Sequence, residues 1–145
     1  DKFSHGKGIF HAIEYKPPAE EPDDEYPYIL STGRLLYHFH TGSMTRRSHT
    51  LDVTIPDGYI EIHPSMAEEL DISDGEMVSV SSRRGKIQIK AYLTDRVEKG
   101  RVFIPFHFAE AAANVLTNPV LDPIAKIPEL KVCSVMVKKI EKIWK

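Results

Sequence analysis

The 145-residue chain is 41% hydrophobic and 28% charged, values that give a domain with a core of its own and exclude a largely disordered polypeptide. Its formal charge is −2, but five acids (Glu20, Glu21, Asp23, Asp24 and Glu25) crowd one Pro-rich stretch, leaving 19 basic against 16 acidic residues elsewhere, a balance of +3. That mild basicity suits a small anionic ligand and argues against a nucleic-acid duplex as partner.

The single cysteine, Cys133, leaves no disulfide framework and points to a reducing, cytoplasmic setting. It lies in an alternating apolar run and reads as a buried small hydrophobe. No run of about 18 apolar residues suggests a membrane span, and no signal peptide is visible. The chain begins at Asp1 rather than Met, which reads as a piece of a longer polypeptide.

Residues 1–27 read as an extended arm, with one short strand at Phe10–Tyr15 followed by a stiff, charged linker around Pro17, Pro18 and Pro22. Its acid run reads as solvated. Tyr28–Thr32 is a short apolar strand that stops at Gly33. After a loop rich in Thr, Ser and His, Tyr59–His63 alternates as a strand, and Pro64-Ser65 opens a helix over Met66–Leu70 with Glu68 and Glu69 outward. Asp74-Gly75 turns into a strand at Glu76–Ser82. Arg83-Arg84-Gly85-Lys86 then makes a hairpin-like turn into Ile87–Leu93, with Ile87, Ile89 and Ala91 on one face. Arg101–Phe106 is a further strand, Ala109–Leu116 has helical composition, and Val132–Val137 closes the set. Some six short strands with two short helical connections predict a closed, mainly β barrel. Two strand–helix units, near 60–70 and 102–116, hint at pseudo-symmetry, although no internal repeat is clear.

Polar residues gather at two places where an apolar run ends. In Thr32–Arg47, Gly33 frees backbone amides and Arg34 can fork two hydrogen bonds onto a phosphate. His38, His40, Thr41, Ser43, Thr45, Arg46 and Arg47 follow closely. His38-Phe39-His40 admits three readings: cofactor contacts, ordinary histidines, or two metal ligands sharing one face of a strand. His49, His63 and His107 lack the spacing that would complete a metal site, and no acid follows His40 before Asp52, so a cupin pattern fails. In the second cluster, Asn114, Thr117 and Asn118 either cap a turn or offer the paired donors and acceptors that a pterin or guanine edge needs. His107 follows a strand and points to the barrel mouth. Nucleophile-elbow, P-loop and CxxC signatures are missing, and the acid pairs Asp23/Asp24 and Glu68/Glu69 read as solvated surface.

Three ordered runs carry a resemblance. They are EYKPPAEEPDDEYPYILSTGRLLYHFHTGSMTRRS, IEIHPSMAEELDISDGEMVSVSSRRGKIQIKAYLTDRV and GRVFIPFHFAEAAANVLTNPVLDPIAKIPELKVCSV. Together they span roughly Tyr15 to Val137. The sequence resembles the C-terminal domain of the molybdopterin oxidoreductases, most closely the catalytic (alpha) subunit of formate dehydrogenase. The resemblance implies a double-psi β-barrel over residues 28–138, with 139–145 as a tail. It implies binding of molybdopterin guanine dinucleotide, two copies of which hold molybdenum or tungsten in the full enzyme.

By that resemblance, Thr32, Gly33 and Arg34 line the cofactor loop, and His38, His40, Thr41, Met44 and Thr45 follow the pterin and phosphates. His107, Asn114, Thr117 and Asn118 close the site from the other side. The family's iron–sulfur motif and metal-ligating Cys or selenocysteine are absent from this sequence, so the chain is not expected to oxidise formate alone. Its implied partners are the remaining domains of the catalytic subunit and an electron-transfer subunit. The same barrel also occurs in short proteins, so a stand-alone assembly subunit of a formylmethanofuran dehydrogenase-like complex is the alternative. A metal-dependent hydrolase on a cupin-like barrel ranks third. The tail, KKIEKIWK, reads as a short amphipathic extension with Ile140, Ile143 and Trp144 packed, or as a frayed end.

Overall fold

The computed structural model describes residues 2–140, so most of the tail, with Ile143 and Trp144, lies outside the described residues. Six strands close into one barrel: β1 (Tyr28–Gly33), β2 (Tyr59–Ile62), β3 (Met77–Ser81), β4 (Lys86–Leu93), β5 (Arg101–Pro105) and β6 (Cys133–Lys139). Their order around the barrel is β1-β5-β2-β4-β3-β6. The β1/β5 and β2/β4 pairs are parallel, and the other four are antiparallel.

Exchanging β1 with β4, β2 with β5 and β3 with β6 leaves both order and direction unchanged. This is the pseudo-twofold of a double-psi barrel, each half being one strand followed by a strand–helical turn–strand unit. The units near 60–70 and 102–116 are therefore topological equivalents.

Alternation builds the core. Val78 and Val80 in β3, Ile87, Ile89 and Ala91 in β4, Val102 and Ile104 in β5, and Cys133, Val135 and Val137 in β6 are all buried. With Leu30, Ile60 and Ile62 they fill the interior, each fully buried aliphatic side chain contributing about 1.5–3 kcal/mol. A helix, α2 (Pro64–Glu69), opens at Pro64 as expected. The His63 side chain caps it by accepting from the Ser65 N–H, and Met66 and Ala67 turn inward.

Three expectations are corrected. Phe10–Tyr15 forms no strand, because the closed barrel gives every strand two partners and leaves no free edge; Phe10, Ile13 and Tyr15 lie exposed. Ala109–Leu116 is not a continuous helix but two 3-10 turns, Ala109–Ala111 and Ala113–Val115, separated by an extended Ala112. Ala111 and Ala113 are both buried, and residues two apart cannot share one face of an α-helix, so burial overrides helical composition. The acid run is not simply solvated. Glu20 is largely buried between Arg83 and Arg84, and Asp23 pairs with Arg83.

The polar loop also holds structure that its sequence did not announce: a 3-10 turn at Thr45–Arg47 and a helix, α1 (His49–Thr54). No residue of either is buried, so no apolar periodicity marks them. Among the described residues no helix is long and apolar enough to cross a membrane.

Candidate functional site

Parallel pairing of β1 with β5 sets Gly33 opposite Pro105, so the two chains leave the barrel at the same end. The loops after them, 34–47 and 106–118, are the two polar clusters of the sequence. Gly33 lets the chain pass close to Phe103 at this exit: a Cβ there would lie 2.5 Å from the outer edge of the Phe103 ring, which would have to shift.

His107 ties the loops together and is buried. The Leu35 N–H donates to its Nε2 at 2.8 Å, and its Nδ1–H donates to the His40 carbonyl. Burial holds its pKa below the ordinary imidazole value; the His40 carbonyl works against that, and the charges of His38, Arg34 and His40 add to it. The ring is therefore a neutral brace.

His38, also buried, braces the first loop internally. Its Nε2–H donates to the Ile55 carbonyl at 2.8 Å, while Nδ1 accepts from the Thr45 hydroxyl at 3.1 Å. The same hydroxyl accepts from the Phe39 N–H at 3.2 Å. Arg46 crosses to the second loop with two hydrogen bonds to Glu110, at 2.8 and 3.0 Å, and a longer contact to Asp52. Gly42 has φ +74° and lies flat on the neighbouring loop, where a Cβ would sit 3.0 Å from the His107 carbonyl and 2.8 Å from the Arg46 side chain.

The metal reading of His38-Phe39-His40 needs a strand, and these residues lie in an irregular loop instead. His40 has φ 47° and is exposed, whereas both ring nitrogens of His38 are already engaged. Among the described residues no group of three or more His, Cys, Asp or Glu is placed to hold a metal ion.

A third segment joins the site. The Thr32 hydroxyl donates to the Leu130 carbonyl at 2.6 Å, and Lys131 Nζ donates back to the Thr32 carbonyl at 2.8 Å. Asn118 donates to Glu129 (3.0 Å) and to the Val132 carbonyl (2.9 Å), and accepts from the Val120 N–H. Residues 129–132 thus join the end of β1 to the end of the second loop.

The expected site residues fall into two groups. Thr32, Gly33, His38, Thr45, His107 and Asn118 are wholly or partly buried and fix the loops from beneath. Arg34, His40, Thr41, Met44 and Asn114 are exposed, and Thr117 is intermediate. Hydrogen bonds bring 34–47 and 107–110 together directly, but among the described residues none joins Asn114 or Thr117 to the first loop.

At the rim, Arg34 has no ion-pair partner among the described residues. Its guanidinium lies 5.8 Å from the Phe39 ring and 6.0 Å from Phe106, while Lys131 Nζ stands 5.5 Å from Phe106. Two cations flanking one aromatic ring make a surface for an anion carrying a flat heterocycle. Phe106 and Lys131 were missed from sequence, although Lys131 closes the quoted PELK run. Arg34 also borders a cavity of about 590 Å³ with Glu61, Arg96, Arg101 and Phe103 in its walls. Burial pushes the Glu61 carboxyl above its ordinary range, with Arg96 partly opposing this.

Comparison with known proteins identifies the family of the domain. Residues 28–134 match the family described as molydopterin dinucleotide binding domain. The chain is 51% identical over 142 residues to the F420-dependent formate dehydrogenase subunit alpha of Methanocaldococcus jannaschii, covering 97% of this chain and 21% of that protein. It is 51% identical over 135 residues to F420-dependent formate dehydrogenase 1 subunit alpha of Methanococcus maripaludis, covering 93% of this chain and 20% of that one. The chain therefore spans about a fifth of the length of these relatives. Acetylene hydratase from Pelobacter acetylenicus superposes with a TM-score of 0.68 at 21% identity, over 79% of this chain and 18% of the other, a likeness of fold. With the family match covering β1 to β5, both loops and the start of β6, the chain belongs to the molybdopterin dinucleotide binding domain family.

Proposed function

We propose that this chain binds and positions molybdopterin guanine dinucleotide as the C-terminal domain of a formate dehydrogenase-like catalytic subunit. Residues 28–138 form the binding domain. The observation that carries the reading is the rim: Arg34 and Lys131 flank Phe106 where the parallel strands β1 and β5 end, within the family match. This donor set is cationic and aromatic, and it fits a pyrophosphate-linked heterocycle. Exposed Arg34, His40, Thr41, Met44 and Asn114, with half-buried Thr117, meet the ligand, while His38, Thr45, His107, Thr32, Gly33 and Asn118 hold them in place.

The metal carried by the cofactor supplies the two-electron chemistry in the full subunit, which oxidises formate to CO2. This chain contributes preorganisation. Its loops are fixed before binding, so little conformational entropy is lost on association. Neutral His107 accepts from the Leu35 amide and donates to the His40 carbonyl, which holds the first loop in place. The rest of the catalytic subunit and an electron-transfer subunit complete the enzyme, and the relatives' names support a system in which F420 takes the electrons.

Arg34→Ala in the full catalytic subunit tests the reading. Loss of a charge-assisted hydrogen bond of about 1.5–3 kcal/mol lowers cofactor affinity roughly 10- to 160-fold. Barrel stability stays unchanged, because Arg34 is exposed and unpaired among the described residues. Full cofactor retention in the variant would overturn the assignment.

A further inference from the structure

The arm segment 19–26 precedes the family match, which begins at residue 28, yet it reaches the second half of the site by two routes. The Glu20 carboxylate, with 11% of its side chain exposed, accepts from Arg83 Nη1 at 2.6 Å and from Arg84 Nη1 and Nη2 at 2.9 and 2.8 Å. The same Arg84 guanidinium donates from Nε and Nη2 to the Leu116 carbonyl at 3.1 and 2.8 Å. One residue earlier, the Ala19 N–H reaches the Glu129 carboxylate at 3.3–3.4 Å, and that carboxylate accepts from Asn118. Consecutive arm residues thus act on Leu116 and Asn118, on either side of Thr117. Gly85 lies directly against Val115, which seats the Arg83–Lys86 turn beneath the same segment. Asp23 and Tyr26 hold the arm to that turn through Arg83, whose guanidinium stands 4.6 Å from the Tyr26 ring.

We propose that Glu20 and Arg84 are positioning residues for the cofactor surface: the arm sets the conformation of Asn114–Asn118 from outside the barrel. The role in binding rests on the function proposed above, whereas the positioning of the segment does not. The guanidinium is the link, because its planar fork reaches the Glu20 carboxylate with Nη1 and Nη2 and the Leu116 carbonyl with Nε and Nη2, a spread of donors that a single ammonium nitrogen does not reproduce at both partners here. Without Glu20, Arg84 is drawn to solvent and the Leu116 carbonyl loses its partner.

The test uses the full chain with Glu20→Gln, Arg84→Lys and the double variant. Amide hydrogen exchange is read residue by residue, and GDP serves as the titration probe. Exchange at the Val115, Leu116, Thr117, Asn118 and Val120 amides is expected to rise at least tenfold in each single variant while β2 and β4 amides keep wild-type rates, and GDP binds several-fold more weakly. The double variant is no worse than either single one, since both break the same link, and Arg84→Lys does not rescue although it keeps the charge. Unchanged exchange at 115–120, a uniform rise across the barrel, or additive effects would overturn the positioning. Faster exchange with unaltered GDP affinity would overturn its role in binding. If wild-type chain does not respond to GDP, the proposed cofactor surface fails and exchange alone decides the positioning.

Discussion

Replacing His107 by Phe isolates the brace on which the first loop rests. The ring is kept, but the Leu35 N–H loses its acceptor and the His40 carbonyl its donor. Leaving a buried polar group unsatisfied costs about 1–3 kcal/mol. Leu35 is only partly buried and His40 is exposed, so water recovers part of this and the expected loss is about 2 kcal/mol. Urea denaturation at pH 8 measures it.

The pH dependence carries its own sign. The folded-state pKa of His107 lies below the ordinary value, chiefly through burial. Between that depressed value and about 6.5 the unfolded chain binds more protons than the folded one. The stabilisation is complete above about pH 6.5 and is lost as the pH falls through the folded value. The variant lacks this loss, so the gap between wild type and His107→Phe narrows from pH 8 to pH 5.5. A cost below about 0.5 kcal/mol at pH 8, or a gap that does not narrow, would refute the role of His107 as a neutral brace.

Other residues give sharper single outcomes. Burial pushes the Cys133 thiol up to about 11, with Arg84 partly opposing, so a thiol reagent at pH 8 should label the folded chain far more slowly than the urea-unfolded chain; equal rates would contradict the buried strand. Gly42→Ala combines a left-handed backbone with contacts to the His107 carbonyl and Arg46. A stability loss of about 2 kcal/mol is expected, and a neutral result in urea melts would refute the close seating of the loops. Thr32→Val removes one hydrogen bond, costing about 1 kcal/mol, and should speed amide exchange at residues 129–131 selectively. Unchanged exchange there would show that Leu130 is held by other means.

The barrel was legible because strand burial has a period that side chains announce. Val78/Val80 and Ile87/Ile89/Ala91 alternate in sequence and are buried as a set. Structure that depends on distant partners was not legible. The break at Ala112 follows from burying both Ala111 and Ala113, and α1 has no fully buried residue. Glu20 resembles its solvated neighbours until Arg84, 64 residues away, is placed against it.

The site divides in the same way. Composition located both loops, and the parallel register of Gly33 with Pro105 explains why they meet. Roles within the loops were hidden. Histidines suggest ligands, yet both ring nitrogens of His38 and of His107 are engaged internally, which leaves Arg34 and the unanticipated Lys131 at the rim.

The central claim is that the rim at the ends of β1 and β5 is the dinucleotide surface. Titrating the isotopically labelled chain with GDP while following amide chemical shifts tests it most directly. The account predicts shifts concentrated at Arg34–Thr45, Phe106–Asn118 and Lys131, with Arg34→Ala weakening them together. Shifts elsewhere on the barrel, or none up to millimolar GDP, would contradict it.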